Sequence, residues 1–76
     1  MTLDKFVELF AEQFDDTPAE SFSASTDYKA LDEWGSLVAL SIISMVDEEY
    51  DVTIKGDDMR GAQTVEDLYN IVKSKI

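Results

Sequence analysis

The sequence predicts an all-α fold: a bundle of three main helices plus one short helix with a long first loop. Three observations predict it. Apolar residues recur at spacings of three and four in the first, middle and last parts of the chain. No stretch of useful length alternates apolar and polar residues as a strand does. Residues 15–35 form one long connection rich in Ser, Thr and Asp.

The first helix is expected to be capped by Thr2 and to run to about Phe14, with Leu3, Phe6, Val7, Phe10 and Phe14 as its stripe. Asp15-Asp16-Thr17-Pro18 reads as its stop. The long connection carries Phe22, Tyr28, Leu31 and Trp34 as apolar anchors, so it is expected to be packed by its own side chains or to serve a function. The second helix is expected from Ser36 to near Tyr50. Asp51-Val52-Thr53-Ile54 reads as an extended linker pinned by its apolar residues. A short third element is expected over about Gly56 to Ala62. Thr64 caps the last helix, whose stripe is Val65, Leu68, Tyr69, Val72 and Ile76; Glu66 and Asp67 at its start and Lys73 and Lys75 at its end suit the helix dipole.

The chain has 76 residues, which is enough for one domain, 1–76. It contains no cysteine and no histidine, so disulfides, thiolate metal sites and the usual general base are excluded. Four Phe, three Tyr and one Trp in a chain that is 45% hydrophobic exclude disorder. Six basic and seventeen acidic residues give a net charge of -11. Such a charge repels nucleic acid and anionic membranes and favours partners with basic patches. The N-terminus is neither basic nor followed by a long apolar run, so no membrane span and a cytoplasmic monomer are expected. An EF-hand reading of the acidic segments fails. Counting from Asp47 or from Asp51 puts Val52 at the sixth position or Ala62 at the twelfth, where the loop needs Gly and Glu.

At 100° per residue the second helix has two faces. Ala39, Ile42, Ile43, Val46 and Tyr50 form the expected core face. Leu37, Val38, Ser41, Ser44, Met45 and Glu48 lie opposite, and no charged residue occurs between Glu33 and Asp47. Apolar residues beside small polar ones on an open face point to partner docking by Leu37, Val38, Ser41, Met45 and Glu48. Ser36 itself admits a plain structural reading, since serine is a favoured N-cap and the glycine before it loosens the turn.

The wider order of residues resembles the acyl carrier protein family over nearly the whole chain. Leu31-Asp32-Glu33-Trp34-Gly35-Ser36-Leu37 opens the second helix, which runs through Leu40, Ile42-Ile43 and Val46 into Asp47-Glu48-Glu49-Tyr50-Asp51-Val52. Ile54 and Thr64-Val65-Glu66-Asp67-Leu68 follow. The resemblance implies an acyl-carrier-like four-helix bundle that carries acyl, aminoacyl or polyketide groups and is not itself an enzyme. Ser36 is the implied site of covalent 4′-phosphopantetheine. A phosphopantetheinyl transferase and acyl-loading and acyl-transfer enzymes are the implied partners, and Val46, Ile54, Ala62 and Leu68 match an acyl pocket.

Two departures bear on the branch. The residue before the modified serine is usually Asp in the family, where it is associated with transferase recognition; here it is Gly35. The positions of Val38 and Ser41 are often acidic in carriers of fatty acid synthesis. The missing acidic residues imply a dedicated pathway carrier rather than the housekeeping one. Gly35 also keeps open a second reading, an unmodified interaction module on the same fold. Trp34, aromatic where many relatives are small, is expected to be a hydrophobic anchor at the base of the loop.

Overall fold

The structure, a computed structural model, describes residues 2–76. Four α-helices form the bundle: α1 (Leu3–Ala11), α2 (Ser36–Tyr50), α3 (Gly56–Gly61) and α4 (Val65–Ser74). Among the described residues there is no strand, as the missing alternation predicts. α1 lies against both α4 and α2, and α3 lies against α4.

Thr2 Oγ1 accepts from Lys5 N and starts α1, as expected of a threonine at a helix entrance. The helix ends at Ala11, one turn before the expected Phe14. Phe14 nevertheless reaches the core, because its N–H bonds the Ala11 carbonyl in a tight turn that swings the ring inward. The apolar period therefore outlasts the helix itself.

The long connection is ordered by its aromatic anchors. Phe10 is fully buried and has Phe6, Phe14, Phe22 and Tyr28 within ring–ring contact. Trp34 stacks on Phe14 and meets Tyr28 edge-on, so it is the expected anchor. Two single 3₁₀ turns, Ala19–Ser21 and Tyr28–Ala30, fold the segment onto itself.

The loop also supplies what the start of α4 lacks. The first N–H groups of a helix have no partner within it. Val65 N donates to Thr26 O and Glu66 N to Ala24 O, while Asp67 N donates to Thr64 Oγ1. The Asp67 carboxylate in turn accepts from Thr64 N, completing a capping box. Bonds from the Thr64 and Gln63 N–H groups hold the Asp67 carboxyl below its ordinary range.

Tyr28 ties the loop to α3. Its buried hydroxyl donates to Met59 O at 3.0 Å, and burial pushes the phenol up to about 12, helped by the charges of Asp67 and Asp27. Lys29 Nζ donates to Arg60 O at 2.9 Å. Tyr28→Phe is expected to cost about 1–3 kcal/mol, since it strands a buried carbonyl. Urea denaturation measures the loss, and hydrogen exchange should quicken first in α3.

Val52 and Ile54 are buried, so the extended linker is pinned as its two apolar residues predict. α2 is turned relative to expectation. Ile42, Met45 and Val46 are its buried residues, with Val38, Ala39, Ile43 and Tyr50 packed partly against the core. Met45, placed on the open face by the helical wheel, is thus a core residue. The reason is α1, which packs on α2; Leu9 and Met45, both buried, line the groove between the two helices.

Candidate functional site

Ser36 is exposed and is the first residue of α2. The cap position is Gly35, so the serine hydroxyl does not cap the helix, contrary to its plain structural reading. No side chain caps α2 and no acidic residue lies in its first turn. Each of the other three α-helices carries an acidic residue in its first turn: Asp4 in α1, Asp57 and Asp58 in α3, Glu66 and Asp67 in α4. Among the described residues, the α2 entrance is therefore the one α-helix start with no carboxylate in its first turn to meet the positive end of the dipole.

The segment leading to Ser36 is clasped from behind. Glu33 Oε2 accepts from Asp15 N at 2.7 Å; Glu33 Oε1 accepts from Asp16 N, Thr17 N and Thr17 Oγ1 at 3.1, 2.9 and 2.8 Å. Desolvation pushes this carboxyl up, but the Thr17, Asp15 and Asp16 bonds outweigh it and hold it below its ordinary 4.5. Because the folded value is depressed, the stabilisation is present above the ordinary carboxylate range and is lost as pH falls through the folded value. The difference in thermal midpoint between the wild type and Glu33→Gln is expected to be open at neutral pH and to close on acidification. Thermal melts across that range check it.

A groove of about 420 Å³ opens beside Ser36, between α2 and α3. Trp34, Ala39, Ile43 and Met59 form its apolar wall, and Lys29 and Arg60 stand at it. Two of the six basic residues of a strongly acidic chain therefore face one groove. The periodicity of α2 did not single out this groove, because Met59 and Arg60 come from a different helix. Arg60 also pairs with Asp57 one turn earlier.

The remaining expected residues separate into two groups. Leu37 is 82% exposed and Glu48 is exposed, Val38 and Ser41 are half-buried, and Met45 is buried. Leu40 is 59% exposed and belongs with the first group, although the face assignment above left it out. The signal was available: Leu40 lies four residues after Ser36, on the same face. Val46, Ile54, Ala62 and Leu68 are brought together in the core, each at most 1% exposed, and none lines the groove beside Ser36.

A Cβ built at Gly35 meets no atom within 4 Å, and its φ of -177° is extended backbone that any residue adopts. An aspartate would fit there. Gly35→Asp is expected to cap α2 and stabilise the fold by a few tenths of a kcal/mol, read as a small rise in thermal midpoint.

No helix among the described residues is long and apolar enough to cross a membrane. A search of curated proteins and one of solved structures each returned no match. The family described as the phosphopantetheine attachment site matches residues 4–72, which takes in all of α2, α3 and the long loop. An exposed serine at an uncapped helix start fits a phosphate ester, since free N–H groups and the helix dipole favour the anion there. With residues 4–72 of its 76 matched, this helical bundle belongs to the phosphopantetheine attachment-site family and is a carrier of covalent 4′-phosphopantetheine.

Proposed function

We propose that Ser36 is the attachment residue and that the domain, residues 1–76, shuttles thioester-bound acyl, aminoacyl or polyketide intermediates between separate enzymes. The observation that carries this reading is the exposed Ser36 hydroxyl at the one α-helix start with neither cap nor carboxylate. The bound arm supplies the thiol that a chain without cysteine lacks. The chain's own residues do the rest. The α2 N-terminus favours the phosphodiester charge by ~0.3–1 kcal/mol. Glu33 fixes the approach of the segment to Ser36. The Ser36 oxygen forms the new P–O bond to the arm's phosphate, the pyrophosphate bond of coenzyme A breaks and its adenosine bisphosphate leaves. Since the chain has no histidine, a base on the transferase takes the hydroxyl proton.

Leu37, Val38, Ser41 and Glu48 support docking of the transferase and of acyl-loading and acyl-transfer enzymes on α2. The apolar first turn, with Asp47, Glu48 and Glu49 at the far end, supports a dedicated pathway carrier. A chain long enough to reach Val46, Ile54, Ala62 and Leu68 would have to part α2 from α3 past Ile43 and Met59. A short or polar cargo lies in the groove without that cost.

Intact-mass measurement after co-expression with a broad-specificity phosphopantetheinyl transferase tests the assignment. The expected result is one added phosphopantetheine, mapped by peptide fragmentation to Ser36. An unmodified chain would instead support the interaction module, the reading that Gly35 favours.

A further inference from the structure

The two sides of Ser36 differ in charge, and the difference points to how a partner sits. On the side away from the Lys29–Arg60 groove, a second groove of about 510 Å³ runs between α1 and α2. Leu9 and Met45 lie at its floor, Leu37 and Leu40 stand on its α2 wall, and Glu12 and Glu48 edge it. Leu37 and Leu40 are two of the three large hydrophobic residues that the described fold leaves exposed. No Lys or Arg lines this groove. Among the described residues neither Glu12 nor Glu48 takes part in an ion pair; the pairs there are Lys5–Glu8, Arg60–Asp57 and Lys75–Asp58.

We propose that the α1–α2 groove seats an amphipathic helix of a partner protein, its apolar stripe on Leu9, Leu37, Leu40 and Met45 and its basic edge against Glu12 and Glu48. The other recognition modes lack their requirements here. Strand addition needs a sheet edge, and the described residues form no strand. Polyproline ligands need an aromatic-lined groove, and no aromatic residue lines this one. Phosphorylated or acidic peptides need clustered cations, and the groove has carboxylates instead. An apolar floor with acidic edges fits a helix with leucines at spacings of three and four and flanking lysines or arginines. The groove beside Ser36 is lined by Lys29 and Arg60 and by no carboxylate, so it offers the basic edge no counter-charge; the partner is held on the α1 side and that groove stays open for the arm. The inference rests on the carrier reading only in that Leu37 adjoins Ser36.

The test is a titration of the phosphopantetheine-bearing protein, labelled with ¹⁵N, with a synthetic four-turn peptide of leucine and lysine patterned for a helix. Controls are the same peptide with glutamate for lysine, and a peptide of the same composition in strict alternation. Amide shifts are expected at Leu9, Glu12, Leu37 and Leu40 and their neighbours. Leu40→Ser is expected to weaken binding about tenfold, and Glu12→Gln with Glu48→Gln to weaken it about fivefold at low salt. Leu40 is exposed, so its substitution leaves the bundle folded, which circular dichroism checks. Shifts confined to the α3 side would overturn the proposal. So would equal binding by either control peptide, or an affinity that Leu40→Ser leaves unchanged. Intact mass of the same variants separates the two readings: arm loading that persists while the shifts map elsewhere sinks the groove and leaves the carrier standing.

Discussion

Ser36→Ala is expected to abolish arm loading completely while leaving the helical fold within about 0.5 kcal/mol of the wild type. The two halves of that expectation have separate causes. Under the proposed assignment loading needs an oxygen nucleophile at this position, and the methyl group has none. The fold does not need it, because Gly35 rather than Ser36 occupies the cap position and the serine is exposed. Alanine is also the better helix former. Intact mass after co-expression with the transferase reads the first half, and thermal or urea denaturation reads the second. A Ser36→Ala chain that still gained the arm would transfer the assignment to another residue. A chain that lost the arm because it had unfolded would show a collapsed denaturation midpoint.

Phe10→Ala is expected to bring the largest loss of stability, about 3–5 kcal/mol. Phe10 is fully buried and makes ring contacts with Phe6 and Phe14 near its own helix and with Phe22 and Tyr28 of the long loop. Its removal leaves a cavity where α1 and the loop meet, and so loosens both. A single core in a chain this short supplies only ~3–5 kcal/mol. The variant is therefore expected to be largely unfolded at 25 °C, with its far-ultraviolet helix signal reduced. Leu37→Ala is the contrasting case: the side chain is 82% exposed, and its loss should move the midpoint little.

The fold was legible in the sequence to the extent that its elements are local. Thr2 and Thr64 start helices where they stand, because a threonine hydroxyl and the N–H groups three residues on are neighbours in any chain that turns there. The stripe Val65, Leu68, Tyr69 and Val72 is buried as its spacing predicts, while Ile76 falls beyond α4 and is exposed. The place of Ser36 as the first residue of α2 was legible as well, from the order of residues around it.

What failed to be legible depends on neighbours distant in sequence. The 100° wheel gave α2 a core face of Ala39, Ile42, Ile43, Val46 and Tyr50 and set Met45 opposite, yet Met45 is buried. A period defines which residues share a face, not how far the helix is rotated against its neighbour; the packing of α1 on the Met45 side decides that. Nothing local to Glu33 shows that its carboxylate gathers bonds from Asp15, Asp16 and Thr17.

By itself, the amino-acid order determined the helices, their starts, the apolar residues available for burial and the serine at the head of α2. Only the tertiary structure decided which side of α2 faces solvent, how the long loop satisfies the start of α4, and where opposite charges collect on the two sides of Ser36. The physical reason is range: backbone hydrogen bonds and helical periods act within four residues, whereas packing and charge distribution arise between segments that only folding brings together.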